Sequence, residues 1–190
     1  MNDISEANIP ALIVIDVQYA FDDFDFWGQS TNPECEANIA ALIDYWQKKE
    51  LSIVVVRHDS RVAKSPLHPD NPGNKLKDFV AEAPAKLLVS KHVNSAFYGT
   101  PDLHEWLSAS GYKNLVICGI QTNMCVETTA RMAGNLGYQV TVALDATRTF
   151  DIVSNSGTLT AAELMKSTAV NLSGGGFAKI ASTADLLKEI

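Results

Sequence analysis

Three residues of different chemistry each stand where an apolar run of the sequence stops. Asp16 follows Ile9 to Ile15, Lys91 follows a run from Leu87 to about Ser90, and Cys125 comes a polar tetrapeptide after Leu115 to Ile120. A carboxylate, an ammonium and a thiol sharing one pocket make a working set for nucleophilic acyl transfer. A thiol with its ordinary pKa of about 8.5 is mostly protonated at neutral pH, and a helix N-terminus and a nearby cation both favour the thiolate. Cys125 would have both if a helix begins near it and Lys91 lies beside it. Asp16 would take the thiol proton and return it to a leaving amine, a cycle that needs no histidine. Backbone N–H groups in the turn Gln121 to Cys125 would point toward a carbonyl oxygen, as at any strand-to-helix turn. Each residue also has a plainer reading: Asp16 as a turn cap, Lys91 as a solvated loop lysine, Cys125 as a small buried hydrophobe.

The elements that must position these residues are legible as alternating strand-length apolar runs and helix-period stretches, the pattern of successive βαβ units. Strands are expected over Ile9 to Ile15, Leu51 to Val56, Leu87 to about Ser90, Leu115 to Ile120, Tyr138 to Leu144 and around Phe177 to Ile180. Between them, Glu34 to Glu50 carries Ile39, Leu42, Ile43 and Trp46 at helical intervals. Thr100 and Pro101 read as cap and first residue of a helix that Gly111 closes, and Thr160 with Glu163 as a capping box. Asp145 reads as the end of the fifth strand, and Asp59 to Asn74, rich in Pro and polar residues, as a surface loop. Roughly six strands, parallel by the right-handed crossover rule with helices on both faces, make a three-layer, doubly wound, Rossmann-like α/β fold. The ligand crevice of such a sheet lies beyond the carboxyl ends of its strands, and an order 3-2-1-4 would bring Asp16, Lys91 and Cys125 together.

The chain length, 190 residues, suits a single domain spanning 1–190. With 46% hydrophobic and 19% charged residues the composition is that of a soluble globular protein. A formal charge of −7 repels phosphate backbones and anionic membrane surfaces, which argues against nucleic-acid and membrane partners. No apolar run approaches the roughly 20 residues of a bilayer span, and Met1 to Pro10 is polar and acidic, so a cytoplasmic protein is expected. Three cysteines without a Cys-x-x-Cys suggest neither a disulfide framework nor a zinc knuckle; Cys118 reads as inert core and Cys35 as incidental. No Gly-x-Gly-x-x-Gly follows the first strand and no Walker sequence occurs, so no cofactor is expected.

Four blocks, in order, resemble the isochorismatase-like cysteine hydrolases, which include nicotinamidases and related amidases. They are Ile13-Val14-Ile15-Asp16-Val17-Gln18, then Lys91 with Asn94-Ser95-Ala96-Phe97, then Gly119 to Val126 leading into Thr128-Thr129-Ala130-Arg131, and last Asp145-Ala146-Thr147. The resemblance implies a catalytic triad of Asp16, Lys91 and Cys125, a cis peptide between Ile120 and Gln121, and oxyanion donors from the backbone of Gln121 and Cys125. It also implies homodimers or homotetramers. Nicotinamidases of this kind carry an Asp-x-His metal pair with further histidines; here the segment reads Arg57-His58-Asp59 with His68 beyond, so no metal is expected. Family members that cleave isochorismate, a vinyl ether, lack the cysteine, so Cys125 favours acyl chemistry. The expected activity is cleavage of a C–N bond in a small amide or carbamoyl compound through a thioester, with vinyl ether hydrolysis or ligand binding without turnover as rivals. Arg131 reads as one half of a structural ion pair and His92 as a packed neighbour of Lys91. The aromatic stretch Phe21 to Trp27 offers Phe21 and Trp27 as pocket wall, with core or subunit contact as the other reading; Phe97 and Tyr98 are similar candidates.

Overall fold

β1 (Ala11–Ile15) is buried at all five positions, as a strand covered on both faces must be. The computed structural model describes residues 9–189, so the polar segment before Ile9 lies outside the described residues. β1 pairs in parallel with β2 (Ile53–His58) on one side and β4 (Asn114–Ile120) on the other. Beyond β2 lies β3 (Leu87–Lys91), and beyond β4 lie β5 (Gln139–Arg148) and β8 (Lys179–Ala181). The order β3-β2-β1-β4-β5-β8 is the doubly wound sheet expected, with its direction of winding reversed between β1 and β4. Alternate β1 side chains face opposite layers: Leu12 and Val14 pack with Trp46 of α2 (Cys35–Lys48), while Ile13 and Ile15 pack with Leu103 and Leu107 of α4 (Leu103–Ala109). No helix among the described residues is long and apolar enough to cross a membrane.

Two local readings are corrected, and one element is added. Thr100 is not the cap of α4: it forms a backbone bridge with Ser90, which holds the chain extended until Asp102 caps the helix through Glu105 N–H at 2.9 Å. The Thr100–Pro101 peptide is cis. Asp145 does not end β5, which runs on to Arg148; its carboxylate instead accepts from the N–H and hydroxyl of Thr183, both at 2.8 Å, and so holds the start of α7 (Thr183–Glu189). An antiparallel ribbon, β6 (Ile152–Ser154) with β7 (Gly157–Leu159), stands outside the parallel sheet. The remaining helices are the short α1 (Phe24–Trp27) and α3 (Asp78–Ala81), α5 (Glu127–Asn135) after β4, and α6 (Ala161–Gly174), whose capping box of Thr160 and Glu163 is as read. The stretch from Asp59 to Asn74 has no regular strand or long helix, yet its Leu67 and Asn74 are buried.

Gly119 shows how closely β4 is pressed against β1. Its φ is +125°, and a Cβ there would sit 2.0 Å from the Ile15 carbonyl oxygen. The β4–β5 register shifts at the same place, between Ile117 and Gly119. This approach brings the end of β4 beside the end of β1, one residue from Asp16. Gly119→Ala combines overpacking with a backbone conformation that L residues avoid, so it is expected to destabilise the fold by about 3 kcal/mol or more, read as a lowered urea midpoint at unchanged slope. An unaltered midpoint would mean that the two strands can part without cost.

Candidate active site

Asp16, Lys91 and Cys125, separated by 75 and 34 positions, meet at the carboxyl edge of the sheet. Asp16 leaves β1 with φ +53°, a left-handed conformation that Asp tolerates better than most residues. Its N–H is held by the Val56 carbonyl at 2.9 Å, and its own carbonyl accepts from Gln18 N–H at 2.9 Å. The kink directs the side chain across the sheet end rather than along it. Lys91 is the last residue of β3, paired in register with His58 at the end of β2. Cys125 lies in a π-turn, Thr122–Val126, placed between β4 and α5, in which Val126 N–H reaches back to the Gln121 carbonyl at 3.1 Å. The α-helix itself begins at Glu127, two residues after Cys125 and continuous with the π-turn, close to where it is expected. The Ile120–Gln121 peptide is cis. Side chains tie this turn to β5 and its continuation: Thr122 Oγ1 lies 2.9 Å from Thr147 Oγ1, and Thr149 donates to Asn123 Oδ1 at 2.5 Å. On the other side Ala96 N–H donates to Thr129 Oγ1 at 3.1 Å, joining α5 to the segment that follows Lys91.

The ammonium of Lys91 is the centre of the group. Its Nζ lies 2.5 Å from Asp16 Oδ2, 3.0 Å from His58 Nδ1 and 3.3 Å from Cys125 Sγ, so three N–H donors meet three acceptors. Asp16 and Lys91 are 0% exposed and Cys125 is 7% exposed. Asp16, His58 and Cys125 bring their oxygen, nitrogen and sulfur within 4.8 Å of one another, and the charge lodged among them is the Lys91 ammonium. The second carboxylate oxygen, Asp16 Oδ1, is buried with no hydrogen-bond partner among the described residues. It is a free acceptor inside the site.

The electrostatics reverse one expectation. Burial, then the Asp16 carboxylate, push the Cys125 thiol above its ordinary pKa, and Lys91 only partly offsets them. For Lys91 burial works against the charge, yet Asp16 and the Cys125 sulfur outweigh it and the ammonium is held above the usual lysine range. His58 is pushed below the usual imidazole value by burial and by the Lys91 charge, so it is neutral at pH 7. The resting group is thus carboxylate, ammonium and thiol, with a net charge of zero. Cys35 and Cys118 are also raised by burial, which Arg148 and Lys77 only partly offset at Cys35, in keeping with unreactive buried thiols.

Several proposed pocket residues have other work. Phe21 is 1% exposed in the core, with its ring against Trp27 and Phe150, and the Trp27 indole N–H donates to the Ala20 carbonyl at 2.7 Å. An aromatic cluster built around Phe150, far along the chain, absorbs this stretch and corrects its reading as pocket wall. Phe97 is half-buried, stacked on Tyr138 at 6.0 Å. Tyr98 is 71% exposed and lines a cleft of about 930 Å³ together with Arg61, His92, Val93, Asn94 and Arg131. Asn94 joins that cleft to the buried group, since its Oδ1 lies 3.9 Å from Cys125 Sγ. Arg131 is paired with Glu127 at 2.7 Å and sits over the Phe177 ring, the structural pairing expected of it. His92 Nδ1 donates to the Asp59 carbonyl at 2.6 Å.

His58 and Asn94 were not read as members of this group from the sequence. His58 was weighed only as a metal ligand, although it ends β2 in the same manner as Asp16 and Lys91 end their strands. That shared position was the available signal.

A doubly wound sheet of this strand order is the fold of isochorismatase-family hydrolases, and sequence comparison agrees. Residues 10–173 match the isochorismatase domain, and the chain belongs to that family. The isochorismatase family protein YrdC of Bacillus subtilis (strain 168) is 35% identical over 179 residues, covering 94% of this chain and 95% of its own. The crystal structure of an isochorismatase-family protein from Chromobacterium violaceum superposes with a TM-score of 0.88 at 36% identity, covering 97% of this chain and 94% of that one. Streptothricin hydrolase of Streptomyces noursei is 30% identical over 151 residues, covering 78% of this chain and 58% of its own.

The buried pair makes a stability prediction. Lys91→Met leaves the Asp16 carboxylate buried without its cation and is expected to cost about 3–5 kcal/mol in urea unfolding. Removing both charges, in Asp16→Asn with Lys91→Met, is expected to cost less than Lys91→Met alone. Strictly additive costs would show that the two charges do not depend on each other.

Proposed function

We propose that the protein is a cysteine hydrolase that cleaves a C–N bond in a small amide or carbamoyl compound through a thioester. The observation that carries this reading is the single buried ammonium in contact with both a carboxylate and a thiol. A thiol raised by burial is unreactive toward bulk base, but here the proton need not leave the site. If Asp16 accepts it as sulfur attacks the carbonyl, the group passes from carboxylate, ammonium and thiol to carboxylic acid, ammonium and thiolate with its net charge unchanged. The unpartnered Asp16 Oδ1 offers an acceptor for that proton.

The cycle closes without any further reagent but water. The S–C bond forms as the thiol proton passes to Asp16, and the C–N bond breaks as Asp16 returns that proton to the departing nitrogen. Water then gives a proton to Asp16 and its oxygen to the acyl carbon, and the C–S bond breaks as the sulfur recovers its proton. Lys91 balances the charge on carboxylate and thiolate in turn, and backbone N–H groups of Gln121 and Cys125 serve the carbonyl oxygen. The cleft that shares Asn94 with this group is where the substrate lies, with Tyr98 on its wall. Kinship with a streptothricin hydrolase supports hydrolysis of a small molecule. We further assign to this reading a homodimer or homotetramer acting in the cytoplasm, with no metal, nucleic acid or membrane in its work.

A panel of primary amides, carbamoyl compounds and lactams, assayed for ammonia or amine release, tests the proposal. Cys125→Ala and Asp16→Asn are each expected to lose turnover by 10³-fold or more, roughly the effect of removing one member of a catalytic group that acts as a unit. Hydroxylamine added to the wild type should divert acyl groups to hydroxamates. Turnover that survives Cys125→Ala while still requiring Asp16 would instead favour protonation chemistry of the vinyl ether type.

A further inference from the structure

We propose that His58 is a positioning residue of this group, whose neutral Nδ1 holds the Lys91 ammonium between carboxylate and sulfur. The inference rests on reading the site as an acyl-transfer centre. An ammonium has three protons and no acceptor, and each Lys91 proton has one partner: Asp16 Oδ2, Cys125 Sγ and His58 Nδ1 at 3.0 Å. Two of these partners change charge during the proposed cycle. His58 is the third, and it keeps its role throughout, so Nζ retains a fixed anchor while the proton moves between sulfur and Asp16.

The chain spends two buried amides on the placement of this one residue. Gln18 Oε1 accepts from His58 N–H at 2.8 Å, and Gln18 Nε2 donates to the His58 carbonyl at 3.0 Å and to the Asn74 carbonyl at 2.7 Å. Asn74 Nδ2 donates to the same His58 carbonyl at 3.0 Å and to Asp59 Oδ1 at 3.0 Å. Gln18 is completely buried and Asn74 nearly so. Gln18, two positions beyond the aspartate that shares Lys91 with His58, thus clamps both peptide groups of a residue 40 positions away, at the end of the neighbouring strand.

The role requires the neutral ring with its proton on Nε2, because a protonated imidazole offers two donors and cannot accept from an ammonium. The charged groups that face His58 are Lys91 on β3 and His92 just beyond it, Asp16 after β1, and Asp59 on its own strand's exit, with the Cys125 thiol across from it; Arg57 is taken up by Asp59. Burial and Lys91 favour the neutral ring, Asp16 and Asp59 oppose them, and the balance lies below the ordinary value. As pH falls below about 6.5 an unfolded chain protonates this histidine first. The folded site resists until lower pH, where protonation turns the anchor into a like charge 3.0 Å from Nζ. Activity should therefore fall on the acid side as His58 titrates.

Two measurements test this on the full chain. Long-range ¹H–¹⁵N spectra of the wild type are expected to show His58 with an unprotonated Nδ1 at pH 7 and a midpoint below about 6.5. A proton on Nδ1 at pH 7, or a midpoint at or above that value, overturns the proposal without reference to any substrate. The second uses a primary amide from which the wild type releases ammonia. His58→Leu, which removes the acceptor, is expected to lower kcat about 10- to 100-fold with KM within about threefold, as for a misplaced catalytic group. His58→Asn keeps an acceptor near the Nδ1 position and cannot titrate, so it is expected to restore most of kcat and to lose the acid limb of the pH profile. Equal losses in Leu and Asn, no loss in Leu, or an acid limb that persists in Asn overturns it. Turnover that survives in Cys125→Ala would defeat the acyl-transfer reading separately, leaving the spectroscopic result on the Lys91 contact unaffected.

Discussion

The site depends on one buried ion pair, Asp16 with Lys91, and on the thiol that lies against it. Neither charge is exposed, so each would be prohibitive alone, and each exists only because the other is within hydrogen-bond distance. That mutual dependence sets the chemistry available to Cys125. Loss of its proton to solvent would leave a net negative charge in a low-dielectric pocket, which is why its pKa is raised. Transfer of the same proton within the group creates no new net charge. The arrangement therefore disfavours a permanently ionised, indiscriminately reactive thiolate.

Every structural choice nearby serves to keep that group together. Three strand ends, those of β1, β2 and β3, supply Asp16, His58 and Lys91, and parallel pairing aligns them because all three point the same way. β4 reaches the group only by lying against the Ile15 backbone without a side chain at Gly119. The turn that carries Cys125 is then held from both flanks, by Thr147 and Thr149 on one side and by the Ala96–Thr129 hydrogen bond on the other. These contacts join segments of the chain that lie 25 to 33 positions apart. Sheet register, rather than any one loop, therefore determines the distances around Nζ.

The sequence made the strands and their terminating residues legible because buried parallel strands are continuously apolar, and a charged residue at the end of such a run is conspicuous. Asp16 and Lys91 were found on that ground. His58 ends β2 in the same way, but it was weighed only as a metal ligand and set aside because Arg57-His58-Asp59 departs from an Asp-x-His pair, and its contact with Lys91 depends on β2–β3 register that spacing does not give. The sign of the Cys125 shift was misjudged for a related reason: spacing identified the cation beside it but not the depth at which both are buried. Phe21 and Trp27 looked like pocket wall because their aromatic stretch directly follows Asp16, whereas their packing partner, Phe150, lies more than 120 positions further along the chain. Asp145 looked like a strand end because the residue that occupies its carboxylate, Thr183, comes 38 positions later.

The division between rigid and open parts also bears on what such a protein discriminates. The buried group is walled by strand ends whose positions are fixed by the sheet. The adjoining cleft is built from Arg61, Val93, Asn94 and Tyr98, which are exposed and belong to connecting segments, and from the outer face of α5. Changes there cost the sheet little, because loops carry few of its contacts. Under the function proposed above, discrimination between substrates falls to the cleft and bond cleavage to the buried charges; Asn94, which lines the cleft and lies 3.9 Å from Cys125 Sγ, is where the two requirements meet.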